Sequence, residues 1–126
     1  MQIDRLDDVN LRTSQLENMI EWYGEILGLR PGARPDFEFP GAWLYAGQNA
    51  VIHLVGVEGA TGVGSEADLK MEHFAFTAIG AGPFEERLKA TTTPYRRSVL
   101  EATRTVAFNV WDPDGNHIHV DFSEDE

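Results

Sequence analysis

The sequence contains no cysteine among its 126 residues. This absence excludes disulfides, thiolate metal sites and cysteine nucleophiles, so any bound metal must be held by nitrogen and oxygen donors. Basic residues are also scarce, because 10 lysines and arginines stand against 21 acidic residues and give a formal net charge of -11. Such a charge repels phosphate backbones, and we expect no nucleic-acid partner.

Long apolar runs are missing as well. No stretch reaches the roughly 18 apolar residues of a membrane span, and the first residues, MQIDRLDDVN, lack the basic and apolar regions of a signal peptide. We therefore expect a cytoplasmic protein with no membrane partner. The sequence also lacks a glycine-rich phosphate loop, a serine nucleophile elbow and a zincin motif, which argues against hydride transfer and serine hydrolysis.

The spacing of apolar residues predicts the same succession, strand, helix and three strands, in each half of one domain spanning 1–126. In module 1, about 3–56, we predict strands at 3–13, 42–46 and 50–55 and a short strand between 29 and 40. We also predict a helix that begins at a capping box formed by Ser14 and Glu17 and ends at Gly28. A linker follows at about 57–70. In module 2, about 71–122, we predict strands at 71–78, 94–100, 105–111 and 116–122, a helix opened by Gly82-Pro83, and a type I turn at Asp112-Pro113-Asp114-Gly115.

Local sequence matches support a duplicated unit. Residues 50–55, AVIHLV, resemble residues 116–121, NHIHVD, so that His53 and His119 are 66 residues apart. Asp8-Val9 and His73-Phe74 stand 65 residues apart at the same place in the first strand of each half. Two spacings that agree within one residue indicate duplication.

Four polar residues are candidate metal ligands. Strand alternation directs apolar neighbours toward the helices (Val9, Ile52, Leu54, Phe74, Phe76, Ile118 and Val120) and Asp8, His53, His73 and His119 toward the opposite face. Imidazole nitrogen and carboxylate oxygen bind zinc, iron, nickel or manganese, and we predict a divalent metal of open identity at these four residues. Asp8 follows Asp7, and an acidic pair near a terminus is also typical of a solvated face.

Other polar residues have weaker patterns. His117 is next to a turn and has no match in the first half, so we interpret it as a hydrogen-bonded strand residue. Asp121 follows His119 on the same face and could orient a ligand or act as a base, although a solvated strand end is the commoner interpretation. Candidates for substrate contact, although solvation is the commoner role for such residues, are Arg12, Tyr45, Tyr95, Arg96 and Arg97.

Several segments together resemble the vicinal oxygen chelate superfamily, which includes glyoxalase I, methylmalonyl-CoA epimerase, fosfomycin- and bleomycin-resistance proteins and extradiol dioxygenases. They are Leu6-Asp7-Asp8-Val9, Trp22-Tyr23-Gly24-Glu25-Ile26-Leu27-Gly28-Leu29, Ile52-His53-Leu54, Glu72-His73-Phe74-Ala75-Phe76 and Asp112-Pro113-Asp114-Gly115-Asn116. The resemblance implies an α+β fold of two βαβββ modules, forming a curved, partly open mixed sheet around a central cavity. It also implies metal ligands in the first and last strands of each module, at the same four residues, and a homodimer.

The resemblance further implies a metal-dependent lyase or isomerase of glyoxalase type. Such an enzyme chelates two adjacent oxygens of a small substrate and stabilises the enolate formed on proton removal. Family members most often have histidine where Asp8 stands and glutamate where His119 stands. Because the last-strand carboxylate is absent here, Asp8 is the candidate base. The alternatives are a non-haem iron dioxygenase, with Asp8 and two histidines as ligands, and a bleomycin-resistance-like binding protein without catalysis.

Overall fold

The succession strand, helix and three strands occurs twice along the chain. The structure, a computed structural model, describes residues 1–59 and 70–126. The chain divides into two compact units, Met1–Gly62 and Val63–Glu126, which we call module 1 and module 2. In its described residues each module has one α-helix and one four-stranded mixed sheet, which confirms the predicted α+β class with βαβββ modules. The linker predicted at 57–70 falls mostly outside the described residues.

Module 1 places its first strand beside its last. Its elements are β1 (Val9–Thr13), α1 (Leu16–Leu27), β2 (Arg30–Gly32), β3 (Gly41–Ala46) and β4 (Asn49–Gly56), with the sheet order β1-β4-β3-β2. β1 runs parallel to β4, whereas the other pairs are antiparallel. The strand predicted from residue 3 was too long, since the charged residues before Val9, which are poor strand formers, lie outside the sheet. Asp8 therefore directly precedes β1.

The helix of module 1 confirms the predicted end and corrects the predicted start. Gly28 adopts a left-handed φ of 71° and donates its N–H to the Gly24 carbonyl at 3.1 Å, a conformation that glycine adopts without strain. At the other end the N-cap residue is Gln15, so the capping box predicted at Ser14 is wrong. The Thr13 hydroxyl accepts the Gln15 N–H at 3.0 Å and thereby holds the chain extended for one residue more before the helix begins.

Module 2 has the same arrangement. Its elements are β5 (Phe74–Ala78), α2 (Ala81–Ala90), β6 (Arg96–Leu100), a 3₁₀ turn (Glu101–Thr103), β7 (Thr105–Trp111) and β8 (His117–Ser123), with the sheet order β5-β8-β7-β6. β5 is parallel to β8 and begins three residues later than predicted, so His73 precedes it as Asp8 precedes β1. The predicted turn is confirmed, because the Gly115 N–H donates to the Asp112 carbonyl at 2.9 Å.

Each sheet buries one face against its helix. Ile52 and Leu54 in β4, and Ile118 and Val120 in β8, are at most 5% exposed, as strand alternation predicts. The half-buried residues Val9, Phe74 and Phe76 in the first strands are less completely covered. The core of module 2 includes three aromatic rings from α2, β7 and β8 in edge or tilted contact, namely Phe84, Phe108 and Phe122. Among the described helices, none has the length and apolar composition needed to cross a membrane.

Candidate metal centre

The two predicted ligands of module 1 lie side by side. His53 Nδ1 is 3.4 Å from Asp8 Oδ2, and the His53 ring stacks on Trp43 with centroids 4.0 Å apart. His53 Nε2 lies 3.1 Å from the Ala50 carbonyl. Because a carbonyl oxygen only accepts, Nε2 carries the proton of the neutral ring and Nδ1 presents its lone pair to the carboxylate.

This pair fits a cation. Two acceptor atoms that face each other at 3.4 Å require a proton or a metal ion between them. Ligands bonded at about 2.1 Å to one tetrahedral ion are separated by about 3.4 Å, which the observed distance matches. The hydrogen bond from Nε2 to a backbone carbonyl is also the outer contact that commonly orients a metal-binding histidine.

Three histidines meet in module 2. His73, His117 and His119 each offer one ring nitrogen, and these three atoms all lie within 4.8 Å of one another. The topology accounts for this grouping, because β5 and β8 pair in parallel from Phe74 and Ile118 onward, which places His73 beside His117. His117 and His119 are two residues apart in β8 and so share a face, which we call the histidine face.

The tautomer of His73 is set by Glu72. The two side chains form a short hydrogen bond between His73 Nδ1 and Glu72 Oε2. This hydrogen bond is the main cause that lowers the pKa of Glu72 below its usual value. An ionised Glu72 only accepts, so Nδ1 of His73 is the donor and Nε2 is the nitrogen that can bind a metal.

The tautomer of His117 is set by Asn109. The Asn109 amide nitrogen donates to the Arg96 carbonyl at 3.0 Å, which fixes the amide orientation and leaves its oxygen to accept. That oxygen lies 2.9 Å from His117 Nε2, in a contact where both residues are at least 96% buried. Nε2 therefore carries the proton, and Nδ1, 3.3 Å from Glu72 Oε1, has the lone pair.

His119 is kept neutral by its surroundings. Burial is the largest cause that lowers its pKa, followed by the charges of His73 and His117, while Asp121 and Glu72 act weakly in the opposite direction. Neutral imidazole is the form that binds metals, so the lowered pKa favours metal binding at neutral pH. The His73 and His119 rings stack 3.8 Å apart and within 3° of parallel.

The prediction that His117 is a hydrogen-bonded strand residue is confirmed, because its Nε2 lies 2.9 Å from Asn109 Oδ1. Its grouping with His73 and His119 is not predicted from the sequence. The strand alternation that selected His119 also places His117 on the same face, two residues earlier, so the signal was present in the sequence. Asn109 carried no such signal, because its contact with His117 depends on the pairing of β7 with β8.

The substrate-contact candidates are dispersed. Arg12 is exposed in β1, and the Tyr45 hydroxyl donates to the Ala33 carbonyl. Tyr95 donates to Glu85 at 2.7 Å, a hydrogen bond that is the main cause raising the pKa of Tyr95.

Strand pairing separates the remaining candidates of module 2. Arg97 pairs with Phe108 and lies over that ring at 6.0 Å, on the helix-covered face. Arg96 pairs with Asn109 and lies on the histidine face. Asp121 shares that face, and its buried Oδ1 has no hydrogen-bond partner among the described residues.

Solved structures share this fold. The glyoxylase/bleomycin resistance protein/dioxygenase domain from Frankia sp. EAN1pec is 19% identical, with a TM-score of 0.80 over 97% of this chain and 99% of that chain. The trypanothione-dependent glyoxalase I of Leishmania major is 19% identical, with a TM-score of 0.71 over 98% and 89%. Lactoylglutathione lyase from Agrobacterium tumefaciens is 14% identical, with a TM-score of 0.72 over 97% and 96%.

Sequence comparison identifies the family. No protein of curated function matches the chain. The model of one family, in contrast, matches residues 5–120, which include all the candidate ligands of both modules. The chain therefore belongs to the Glyoxalase/Bleomycin resistance protein/Dioxygenase superfamily.

Proposed function

We propose that this protein is a metal-dependent lyase or isomerase of glyoxalase type that acts on a small oxygenated substrate. The observation that carries the proposal is the pair in module 1, where the His53 lone pair faces the Asp8 carboxylate at 3.4 Å. A divalent cation between these two atoms would satisfy both acceptors at once, which supports a metal-binding role for the pair.

The proposed ligands are Asp8, His53, His73 and His119. A divalent ion held by three neutral histidines and one carboxylate keeps a single net positive charge. Such an ion, when bound, supplies Lewis acidity to two adjacent substrate oxygens. Zinc, iron, nickel and manganese all accept this donor set.

Asp8 is the proposed base. Its side chain is 28% exposed beside a 16% exposed His53, so the carboxylate is open on one side to a small substrate. A carboxylate oxygen there can remove a proton from carbon while His53 holds its neighbour in place. The exposed Arg12 lies in β1, four residues after Asp8, and is the proposed contact for an anionic group.

Metal content and turnover test the proposal together. The purified protein should contain one divalent metal per chain and should isomerise the thiohemiacetal of a 2-oxoaldehyde and glutathione. Chelation should abolish turnover and the metal should restore it. A wild-type protein without stoichiometric metal would refute the proposal, whereas iron with oxygen uptake would favour the dioxygenase alternative.

The role of Asp8 needs a matched control. Asp8→Asn should lower turnover by at least about 100-fold, the range of general-base catalysis. Asp7→Asn removes the adjacent charge, 74% exposed and 3.6 Å from Arg5, and should leave turnover unchanged. Full turnover in Asp8→Asn with full metal content would show that Asp8 is not the base. The homodimer and the cytoplasmic location stay predictions.

A further inference from the structure

We infer that module 2 binds a divalent cation by itself, through His73, His117 and His119. His117 is then a metal ligand outside the set of Asp8, His53, His73 and His119. This inference rests on the proposed function for the roles of His73 and His119 as metal ligands. It differs in that Asp8 and His53 of module 1 are not required for metal binding.

Ring orientation is the first argument for His117. An imidazole binds a metal in its own plane, and the rings of His73 and His119 are stacked within 3° of parallel, so their lone pairs do not converge as they stand. The His117 ring is tilted by 56° from His73 and by 59° from His119. Its lone pair can therefore converge with that of either neighbour.

Distance supports the same grouping. Nitrogen ligands of one tetrahedral zinc ion stand about 3.3 Å apart, since each bond is about 2.0 Å long. One nitrogen of each ring already lies within 4.8 Å of the other two, so shifts of about 1 Å per ring, with rotation of the stacked His73 and His119 rings, would bring the three to one ion. A cavity of about 160 Å³ beside Glu72, His73 and His117 gives space for the ion to enter.

Two neighbours hold His117 for this role. Asn109 accepts the Nε2 proton at 2.9 Å, and its own amide is fixed by the Arg96 carbonyl. Trp111 stacks on the His117 ring with centroids 5.0 Å apart and planes within 16°. Nδ1 is thereby directed away from Asn109 and toward Glu72 at 3.3 Å. Asn109 is a positioning residue, because it acts only through His117.

Glu72 supplies the negative charge. It accepts from His73 Nδ1, as a carboxylate commonly does from a metal-binding histidine, and it lies beside His117 Nδ1. Three histidines with an adjacent carboxylate form a donor set that suits a divalent cation without help from module 1.

Zinc titration by calorimetry of the chelator-treated full chain tests the inference. The Asp8→Asn/His53→Gln protein should still bind one zinc ion. Adding His117→Gln to that protein should weaken zinc binding by at least about 100-fold, because a ligand is lost. The Asp8→Asn/His53→Gln parent is the matched control, because it differs from the triple variant only at His117.

NMR of the imidazole nitrogens in the wild-type protein gives a second test, which does not depend on whether the variants fold. In the wild-type protein, zinc should shift the Nδ1 resonance of His117 while its Nε2 stays protonated. The inference is overturned if zinc leaves that resonance unchanged, if the double variant loses zinc, or if His117→Gln binds zinc as tightly as its parent.

The outcomes separate this inference from the proposed function. A wild-type protein that binds zinc but has no metal-dependent turnover refutes the proposed function and leaves the three-histidine site intact. Zinc binding and turnover in the wild type, together with loss of zinc in the double variant, refute only the three-histidine site. A wild-type protein that binds no divalent metal refutes both.

Discussion

Asn109→Leu tests whether Asn109 orients the His117 ring through its hydrogen bond or only fills space in module 2. Asn109 is 1% exposed, and leucine has the same branched arrangement of four side-chain heavy atoms without a hydrogen-bonding group. It removes the acceptor of the His117 Nε2 proton and the donor to the Arg96 carbonyl.

The expected cost follows from those two groups. A buried polar group that loses its partner costs about 1–3 kcal/mol, so we expect the free energy of unfolding to fall by about 2–4 kcal/mol. Zinc affinity should fall by about 10- to 100-fold, the usual effect of losing an outer contact that orients a metal ligand. The loss of affinity arises because His117 can then rotate or change tautomer.

Two measurements and one control test this reasoning. Urea unfolding in the presence of chelator reports the stability, and calorimetry with zinc reports the affinity. Ser98→Ala removes only a 3.4 Å contact to the same amide and should change stability by less than about 0.5 kcal/mol. If Asn109→Leu matched the wild type in both measurements, the proposed positioning of His117 would be wrong.

Three further predictions concern stability measured by urea unfolding. Phe108→Ala should destabilise by about 3–5 kcal/mol, because a ring that is 1% exposed leaves a cavity; an unchanged midpoint would contradict this. Gly41→Ala should destabilise by about 1–3 kcal/mol, since its Cβ would lie 2.3 Å from the Leu54 carbonyl oxygen. Gly82→Ala is the control: no atom lies within 4 Å of the Cβ it would add, so it should leave the stability unchanged or raise it. Equal losses of stability at Gly41 and Gly82 would show that the contact with the Leu54 carbonyl oxygen is not the cause. Burial and the neighbouring histidines lower the pKa of His119 in the folded protein below 6.5. The unfolded chain therefore binds more protons than the folded one, and the free energy of unfolding of the metal-free protein should fall as the pH drops through that value. His119→Gln should make the free energy of unfolding less dependent on pH.

Local signals in the sequence were sufficient for most elements. The end of α1 was predicted correctly because Gly28 is needed for a left-handed residue after the last turn. The start was not, since Thr13, Ser14 and Gln15 are all competent near a helix start. The Thr13 hydroxyl decides between them by accepting the Gln15 N–H. The start of the helix therefore depends on where β1 ends, and the spacing of apolar residues in the helix does not indicate that position.

The candidate site was predictable only in part, for a related reason. Alternation and duplication identify His53, His73 and His119 without knowledge of strand pairing. The contact that fixes the tautomer of His117 depends on register, since the pairing of β7 with β8 brings Asn109 and Trp111 beside that ring. A comparison of the two halves therefore does not select a histidine such as His117 that has no counterpart in the first half, even though strand alternation places it on the histidine face.

The parallel pairing of first and last strands explains how the ligand set can be rearranged between modules. In each module the residue just before the first strand lies beside the last strand: Asp8 beside His53, and His73 beside His117. Either position can therefore hold a nitrogen or an oxygen donor without a change of backbone. Relative to the pattern that the family resemblance implies, a carboxylate stands at position 8 and a histidine at position 119. Glu72 supplies a carboxylate beside the histidines of module 2, in addition to Asp121, because its hydrogen bond with His73 lowers its pKa and keeps it ionised. The exchange thus keeps a carboxylate in each module while it moves the candidate base to module 1.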